Sequence, residues 1–166
     1  MRGTFLSMAR DNRGVAAAEL AMVVPFMFVL LFGAFELGNY FMTEHAVVKA
    51  VRDGARYAAR RPFTDYPGCV ASAAVVDDTR NVTRTGQLAA GGEPRFASWS
   101  EPDSIDVVAE CDNAGGYTGV FVTNPDGAPV VTVTATVPYT PLFSQMGLGS
   151  VDLTLNARSQ AAVTGI

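Results

Sequence analysis

Residues 13–36 read RGVAAAELAMVVPFMFVLLFGAFE, and this stretch decides how the whole chain is organised. A basic residue and a glycine precede an apolar run, and between Val15 and Phe35 the only charged residue of that run is Glu19. As a helix, a run of this length covers about 30 Å, the thickness of the hydrocarbon core of a bilayer. The sequence therefore predicts a membrane-spanning helix over residues 15–36.

Glu19 is an unusual residue for such a helix, because a carboxylate near the centre of a span costs at least ~2.5 kcal/mol and less toward its ends. It lies one helical turn after Val15. If the chain were cut after Gly14, the new α-amino group would start the helix, where the helix dipole also favours an acid. The cationic N-terminus of a neighbouring subunit would be a better partner still. A glutamate that only reaches interfacial water is the alternative.

A basic leader, Gly14 and a glutamate five residues later resemble the class III signal of type IV prepilins and pseudopilins. A longer string resembles the TadE-like family, the pseudopilins or minor pilins of tight-adherence (Flp-type IVb) pili. It comprises GVAAAELA at 14–21, Pro25, FGAFELG at 32–38 and DGARYA at 53–58. The resemblance implies cleavage between Gly14 and Val15 by a prepilin peptidase, with Glu19 needed for processing and assembly. Other pilins or pseudopilins and the tight-adherence assembly platform are the other implied partners.

The charges around the span predict its orientation. The leader, residues 1–14, contains Arg2, Arg10 and Arg13 against Asp11, so the positive-inside rule places it in the cytoplasm. The expected location is the bacterial inner membrane, with the C-terminal domain periplasmic or extracellular. After processing, association with the pilus is the alternative to retention in the membrane. A secretory signal peptide is the competing interpretation, but residues 31–34 offer no convincing cleavage site. The net charge of −4 does not suit a nucleic-acid binder.

The helix is expected to continue beyond the membrane. Pro25 predicts a kink within the span, and Gly33 and Gly38 are small residues that would allow close approach of a neighbouring helix, unless they are merely tolerated. Residues 37–61 carry apolar side chains at three-to-four spacing opposite a basic face, so they extend the same helix as an amphipathic segment up to Pro62.

Residues 62–166 are expected to form an extracytoplasmic globular head. The segment 69–88 reads as a second helix, and segments starting near residues 104, 118, 131 and 151 read as strands. The predicted fold class is α+β, with an approximately four-stranded antiparallel sheet packed on the first helix, in a pilin-like lollipop. The loop Pro138–Ser150 is rich in apolar side chains, which are either tucked under the sheet or exposed as a contact surface.

The only two cysteines, Cys69 and Cys111, are expected to form a disulfide in an extracytoplasmic compartment, with two buried thiols as the alternative. His45 is the only histidine and has no catalytic or metal-ligating residues at useful spacing. We therefore expect no enzyme activity, no metal and no cofactor. The sequence favours a pseudopilin or minor pilin for biogenesis, initiation or the tip of an adhesive pilus. The alternative is an uncleaved bitopic membrane protein whose extracytoplasmic domain binds or senses a ligand.

Overall fold

The computed structural model describes residues 12–112, 115, 117–122, 124, 126–144 and 152–165. The chain divides into two compact units, an N-terminal unit up to Asn39 and a head unit from Tyr40 to Ile166. Helix α1, Asn12–Ala59, contributes to both units. The predicted leader lies mostly outside the described residues, which include only its last three positions.

In the N-terminal unit, α1 is long and apolar enough to cross a membrane. Its large apolar side chains are exposed, with Phe26 and Leu30 each 73% accessible, so they require lipid or other apolar surfaces as neighbours. Helical hydrogen bonding continues past Pro25. A single apolar helix near the N-terminus suggests a membrane anchor.

In the head unit, one face of α1 forms one side of the core. Its buried residues recur every three or four positions, which places them on one side of the helix: Val47, Ala50, Val51, Ala55 and Ala58. The helix ends at Ala59, slightly earlier than predicted, and a turn leads to Pro62.

The sheet packs on this face of α1 and has three antiparallel strands among the described residues, in the order β1–β2–β3. The strands are β1 at Ile105–Asp112, β2 at Ala128–Pro138 and β3 at Thr154–Ala162. In β1 and β2, buried residues alternate with more exposed ones, as the period of two in the sequence predicts. Val133, for example, is fully buried and lies opposite Val107 of β1 and Ser159 of β3.

The prediction of about four strands was wrong for the segment at 118–123. Here Gly119–Phe121 forms a 3-10 turn, and Gly119 has a φ of +68°, which a strand residue does not adopt. The apolar side chains of Val120 and Val122 are exposed, at 52% and 65%. The last strand begins at Thr154, and the predicted start at Val151 lies outside the described residues.

The second helix, α2, is shorter than predicted and spans Ala73–Thr85. Ser72 caps its start by accepting a hydrogen bond from the backbone N–H of Val75, and Gly86 ends it in a left-handed conformation with a φ of +78°. Cys69 lies before this helix in a 3-10 turn, Pro67–Cys69.

The first residue of the loop after β2 is buried. Tyr139 is buried and makes an edge-to-face contact with Tyr40 of α1, with the ring centroids 5.2 Å apart. Leu142 is 52% exposed. Residues 145–150 of this loop lie outside the described part of the chain, so the predicted role of their apolar side chains stays a prediction.

Helices α1 and α2 are in close contact at Gly54. A Cβ atom at this position would overlap with Oγ1 of Thr83 and lie 3.3 Å from Cβ of Thr83. Thr83 is fully buried and cannot turn away freely, because its hydroxyl donates to the carbonyl of Thr79 at 2.7 Å. A glycine is therefore required where the two helices touch.

We expect Gly54→Ala to lower the free energy of unfolding of the head unit by about 1–3 kcal/mol, the usual cost of overpacking a filled core. The measurement is denaturant unfolding followed by the fluorescence of Trp99, the only tryptophan of the chain and fully buried. Gly38→Ala is the matched control, since a Cβ there meets no atom within 4 Å. Equal stability of the two variants would contradict the packing described for Gly54.

Candidate processing and assembly segment

The candidate cleavage site lies within the first turns of α1. Gly14 and Val15 are both helical and exposed, and a Cβ at Gly14 would meet nothing within 4 Å. The peptide bond between them is therefore not covered by any described part of the chain. This matches what an external peptidase needs, which is access to the backbone at that bond.

Glu19 lies four residues after Val15, so its side chain is on the same face of the helix as that of Val15. It is exposed and makes no hydrogen bond or ion pair with any residue that the structure describes. In an apolar environment an unpaired carboxylate is unfavourable. A cation placed beside Val15 on a neighbouring molecule could pair with it.

Pro25, Gly33 and Gly38 lie on α1 as the sequence places them. Pro25 has no backbone N–H, so the carbonyl of Ala21 loses its usual helical donor. No atom lies within 4 Å of a Cβ built at Gly33 or Gly38, so within this chain both glycines face open space. Their surface is free for another helix, although their role as packing positions stays a prediction.

The head unit carries the disulfide between Cys69 and Cys111, with 5.4 Å between the two Cα atoms. It joins the 3-10 turn before α2 to strand β1 across 42 positions of sequence. The same turn is fixed from the other side, because the carboxylate of Asp126 accepts a hydrogen bond from the backbone N–H of Gly68 at 3.2 Å. No spacing in the sequence indicates this contact, which spans 58 positions.

The hydroxyl groups of two tyrosines form hydrogen bonds between α1 and other parts of the head unit. The sequence analysis predicted neither contact. The hydroxyl of Tyr57 donates to Asp78 of α2 at 2.8 Å, and burial, together with this hydrogen bond, raises the pKa of Tyr57. The hydroxyl of Tyr66 donates to the carbonyl of Ala58 at 2.6 Å, and burial raises the pKa of Tyr66 above its ordinary value. Both side chains therefore stay neutral and bonded at physiological pH.

The described residues include no group of three or more His, Cys, Asp or Glu side chains arranged to hold a metal ion. His45 is exposed on α1.

One family model matches the sequence of the long helix. The family model described as "TadE-like protein" matches residues 14–56, from the candidate cleavage glycine to the amphipathic part of α1. No curated protein and no solved structure matches the chain. The recognition of a TadE-like sequence is therefore confirmed, on the residues that form α1.

Proposed function

We propose that this chain, a TadE-like protein over residues 14–56, is a pseudopilin or minor pilin that acts in the biogenesis, initiation or tip of a tight-adherence pilus. The observation that carries the proposal is the start of the match at Gly14, with Glu19 five residues later on an apolar helix. A membrane anchor alone has no use for this glycine and carboxylate.

The first step is removal of the leader. A prepilin peptidase at the cytoplasmic side would hydrolyse the bond between Gly14 and Val15, which leaves Val15 with a free α-amino group. The arginines of the leader keep this end in the cytoplasm until cleavage. Exposure of Gly14 and Val15 supports this step, because no described side chain blocks the bond.

The second step is pairing between subunits. The carboxylate of Glu19 accepts the ammonium group of Val15 from a neighbouring subunit, which neutralises both charges inside a bundle of apolar helices. The pairing offsets the cost of placing a carboxylate in a membrane span, which is at least ~2.5 kcal/mol near the centre and smaller toward the ends, where Glu19 lies. The apolar surfaces that the N-terminal unit exposes then pack against the same surfaces of other pilins or pseudopilins.

The role is noncatalytic, and the assembly platform supplies the energy for extrusion. Pro25 supports movement of the helix out of the bilayer, because the backbone hydrogen bond it lacks makes the helix easier to bend at that point. The head unit remains outside the cytoplasmic membrane, where an oxidising environment maintains the disulfide between Cys69 and Cys111.

The experiment that tests the proposal is Gly14→Val in a cell that has an active prepilin peptidase. A Cβ at this position would meet no atom within 4 Å in the described part of the chain, so we expect the fold to be retained while the residue before the cut becomes branched and bulky. We expect the variant to keep its leader and to be absent from the pilus fraction. Gly38→Ala is the control and is expected to be cleaved normally.

An uncleaved bitopic protein with a binding or sensing head is the competing function. In that case Gly14→Val and the native protein would both retain the leader and would differ in mass only by the substituted side chain. Their cellular distribution would be the same, and pilus formation would not change.

A further inference from the structure

The exposed face of α1 in the head unit carries a row of cations. The row, called here the basic stripe, consists of Lys49, Arg52, Arg56 and Arg60. Their spacing of three, four and four residues places them on one side of the helix. All four are exposed, and none of their side chains forms an ion pair or hydrogen bond with a described residue. Such a concentration of unpaired positive charge is notable in a chain with a net charge of −4.

The outer face of the sheet carries a row of acids. Asp106 and Glu110 are exposed on β1, on the face opposite the core, and no described side chain pairs with either of them. Their neighbours across the sheet do not neutralise them, since Asp106 lies opposite Thr134 and Glu110 lies opposite Val130. Asp112 extends this acidic row by one more exposed carboxylate.

The two rows cannot meet within one molecule. The buried face of α1 packs on the inner face of the sheet, and both contribute to one core. The basic stripe therefore faces away from the sheet, whereas the acidic row faces away from the helix. Contact between them needs a second molecule.

The two rows also match in length. Arg52 lies on α1 and Arg60 is the first residue after it, and their separation of eight residues corresponds to about 12 Å along the helix axis. Asp106 and Glu110 are four residues apart on a strand, which corresponds to about 13 Å. Two arginines of one copy can therefore reach two carboxylates of another at the same time.

We propose that the basic stripe of one copy docks on the acidic row of a second copy of this chain. The contact joins two different surfaces, so it is heterologous and can repeat from copy to copy in one direction. It supplies the proposed function with a second subunit contact, located in the head unit and independent of Glu19 and of cleavage.

The test measures self-association of the full chain in a zwitterionic detergent by analytical ultracentrifugation. We expect Arg52→Glu with Arg60→Glu to weaken association by about tenfold or more, because the four stripe positions then carry two cations and two anions, and the new glutamates face the acidic row. Asp106→Lys with Glu110→Lys is expected to weaken it equally. All four changes in one chain exchange the charges at the paired positions, and we expect this variant to associate like the native chain.

A mixture of the two doubly substituted chains sharpens the test. The chain with the substituted stripe keeps the native acidic row, and the chain with the substituted acids keeps the native basic stripe. Together they should therefore form a one-to-one complex, although each alone remains monomeric. Raising the ionic strength from about 0.1 M to about 1 M shortens the screening length from about 10 Å to about 3 Å and should weaken the native contact.

Two controls separate this contact from a general effect of charge. Asp77 is exposed on α2, away from both rows, and Asp77→Lys is expected to leave association unchanged. Arg158 lies on the outer face of the sheet two strands from Asp106, and Arg158→Glu is expected not to weaken association. In an Arg158→Glu chain, a loss equal to that of the stripe variant would overturn the proposal.

Three further results would overturn it: a native chain that does not associate, a fourfold variant that is not rescued, or a loss confined to the stripe variants. The last would assign the stripe to an acidic surface of the second copy other than the row on β1. Glu19→Ala should keep the head contact, so failure of this proposal and failure of the proposed function can be told apart. Burial of Trp99, read by its fluorescence, verifies that each variant is folded.

Discussion

Replacing Glu19 by alanine is expected to reduce the amount of protein in the sheared surface fraction by about tenfold or more, while the amount in the membrane is maintained. Removing one partner of a charge pair in an apolar bundle leaves the other charge unpaired, which costs several kcal/mol, and 1.4 kcal/mol already corresponds to a factor of ten. The side chain of Glu19 is exposed, makes no hydrogen bond or ion pair with a described residue and lies outside the head unit, so we do not expect the loss to come from misfolding of that unit. The measurement is quantitative immunoblotting of sheared and membrane fractions.

Two further variants test whether the loss of surface protein results from the missing charge of Glu19. Glu19→Gln has nearly the same shape without the charge, and we expect it to fail like the alanine variant. Glu44→Ala removes an acid from the same helix beyond the apolar run and should assemble normally. Normal surface levels of Glu19→Gln would show that shape rather than charge is required, which contradicts the proposed pairing.

Loss of the disulfide is expected to destabilise the head unit by about 4 kcal/mol. Cys69 and Cys111 close a loop with a sequence separation of 42, and a loop of this length restricts the unfolded chain by about that amount in the chain-entropy description. The variant is Cys69→Ser with Cys111→Ser, which leaves no single thiol to form wrong pairs. Denaturant unfolding followed by Trp99 fluorescence gives the difference.

A reducing agent provides the matched control for this prediction. It should destabilise the native chain by about the same amount and have no effect on the double serine variant. If the native chain is equally stable with and without the reductant, the disulfide contributes nothing to the free energy of unfolding of the head unit, which would contradict the prediction.

The long helix and its TadE-like string could be predicted from the sequence because each rests on a local pattern. The apolar run and the three-to-four spacing of Val47, Val51 and Ala55 indicate one continuous helix, and α1 follows it from Asn12 to Ala59. The TadE-like string lies on the same residues, and the family match confirms it. The alternation of buried residues likewise predicts β1 and β2.

The wrong predictions concern segments whose apolar pattern is short, or whose structure is decided by a residue outside that pattern. The apolar residues around Val120 resemble a short buried strand, but Gly119 turns the chain there. The start of α2 depends on Ser72 as a cap, whereas its apolar pattern extends further back toward Cys69. A short apolar run has no period that separates a strand from a turn.

The contacts that fix the head unit could not be predicted because they join residues far apart in sequence. Gly54 meets Thr83, Asp126 holds Gly68, and neither pair has a spacing that indicates contact. The basic stripe is visible in the sequence as the polar face of a helix. Its relation to the acidic row on β1 required the sheet and helix to be placed on opposite sides of one core.

The most direct measurement is the N-terminal residue of the mature protein, determined by mass spectrometry on membrane and sheared surface fractions of a cell that makes it and its pili. Processing as a prepilin predicts that the chain begins at Val15 in the membrane fraction, and incorporation into the filament predicts the same start in the sheared fraction. A chain that retains the leader from Met1, in a cell whose prepilin peptidase is active on other substrates, would contradict processing and leave an uncleaved membrane protein.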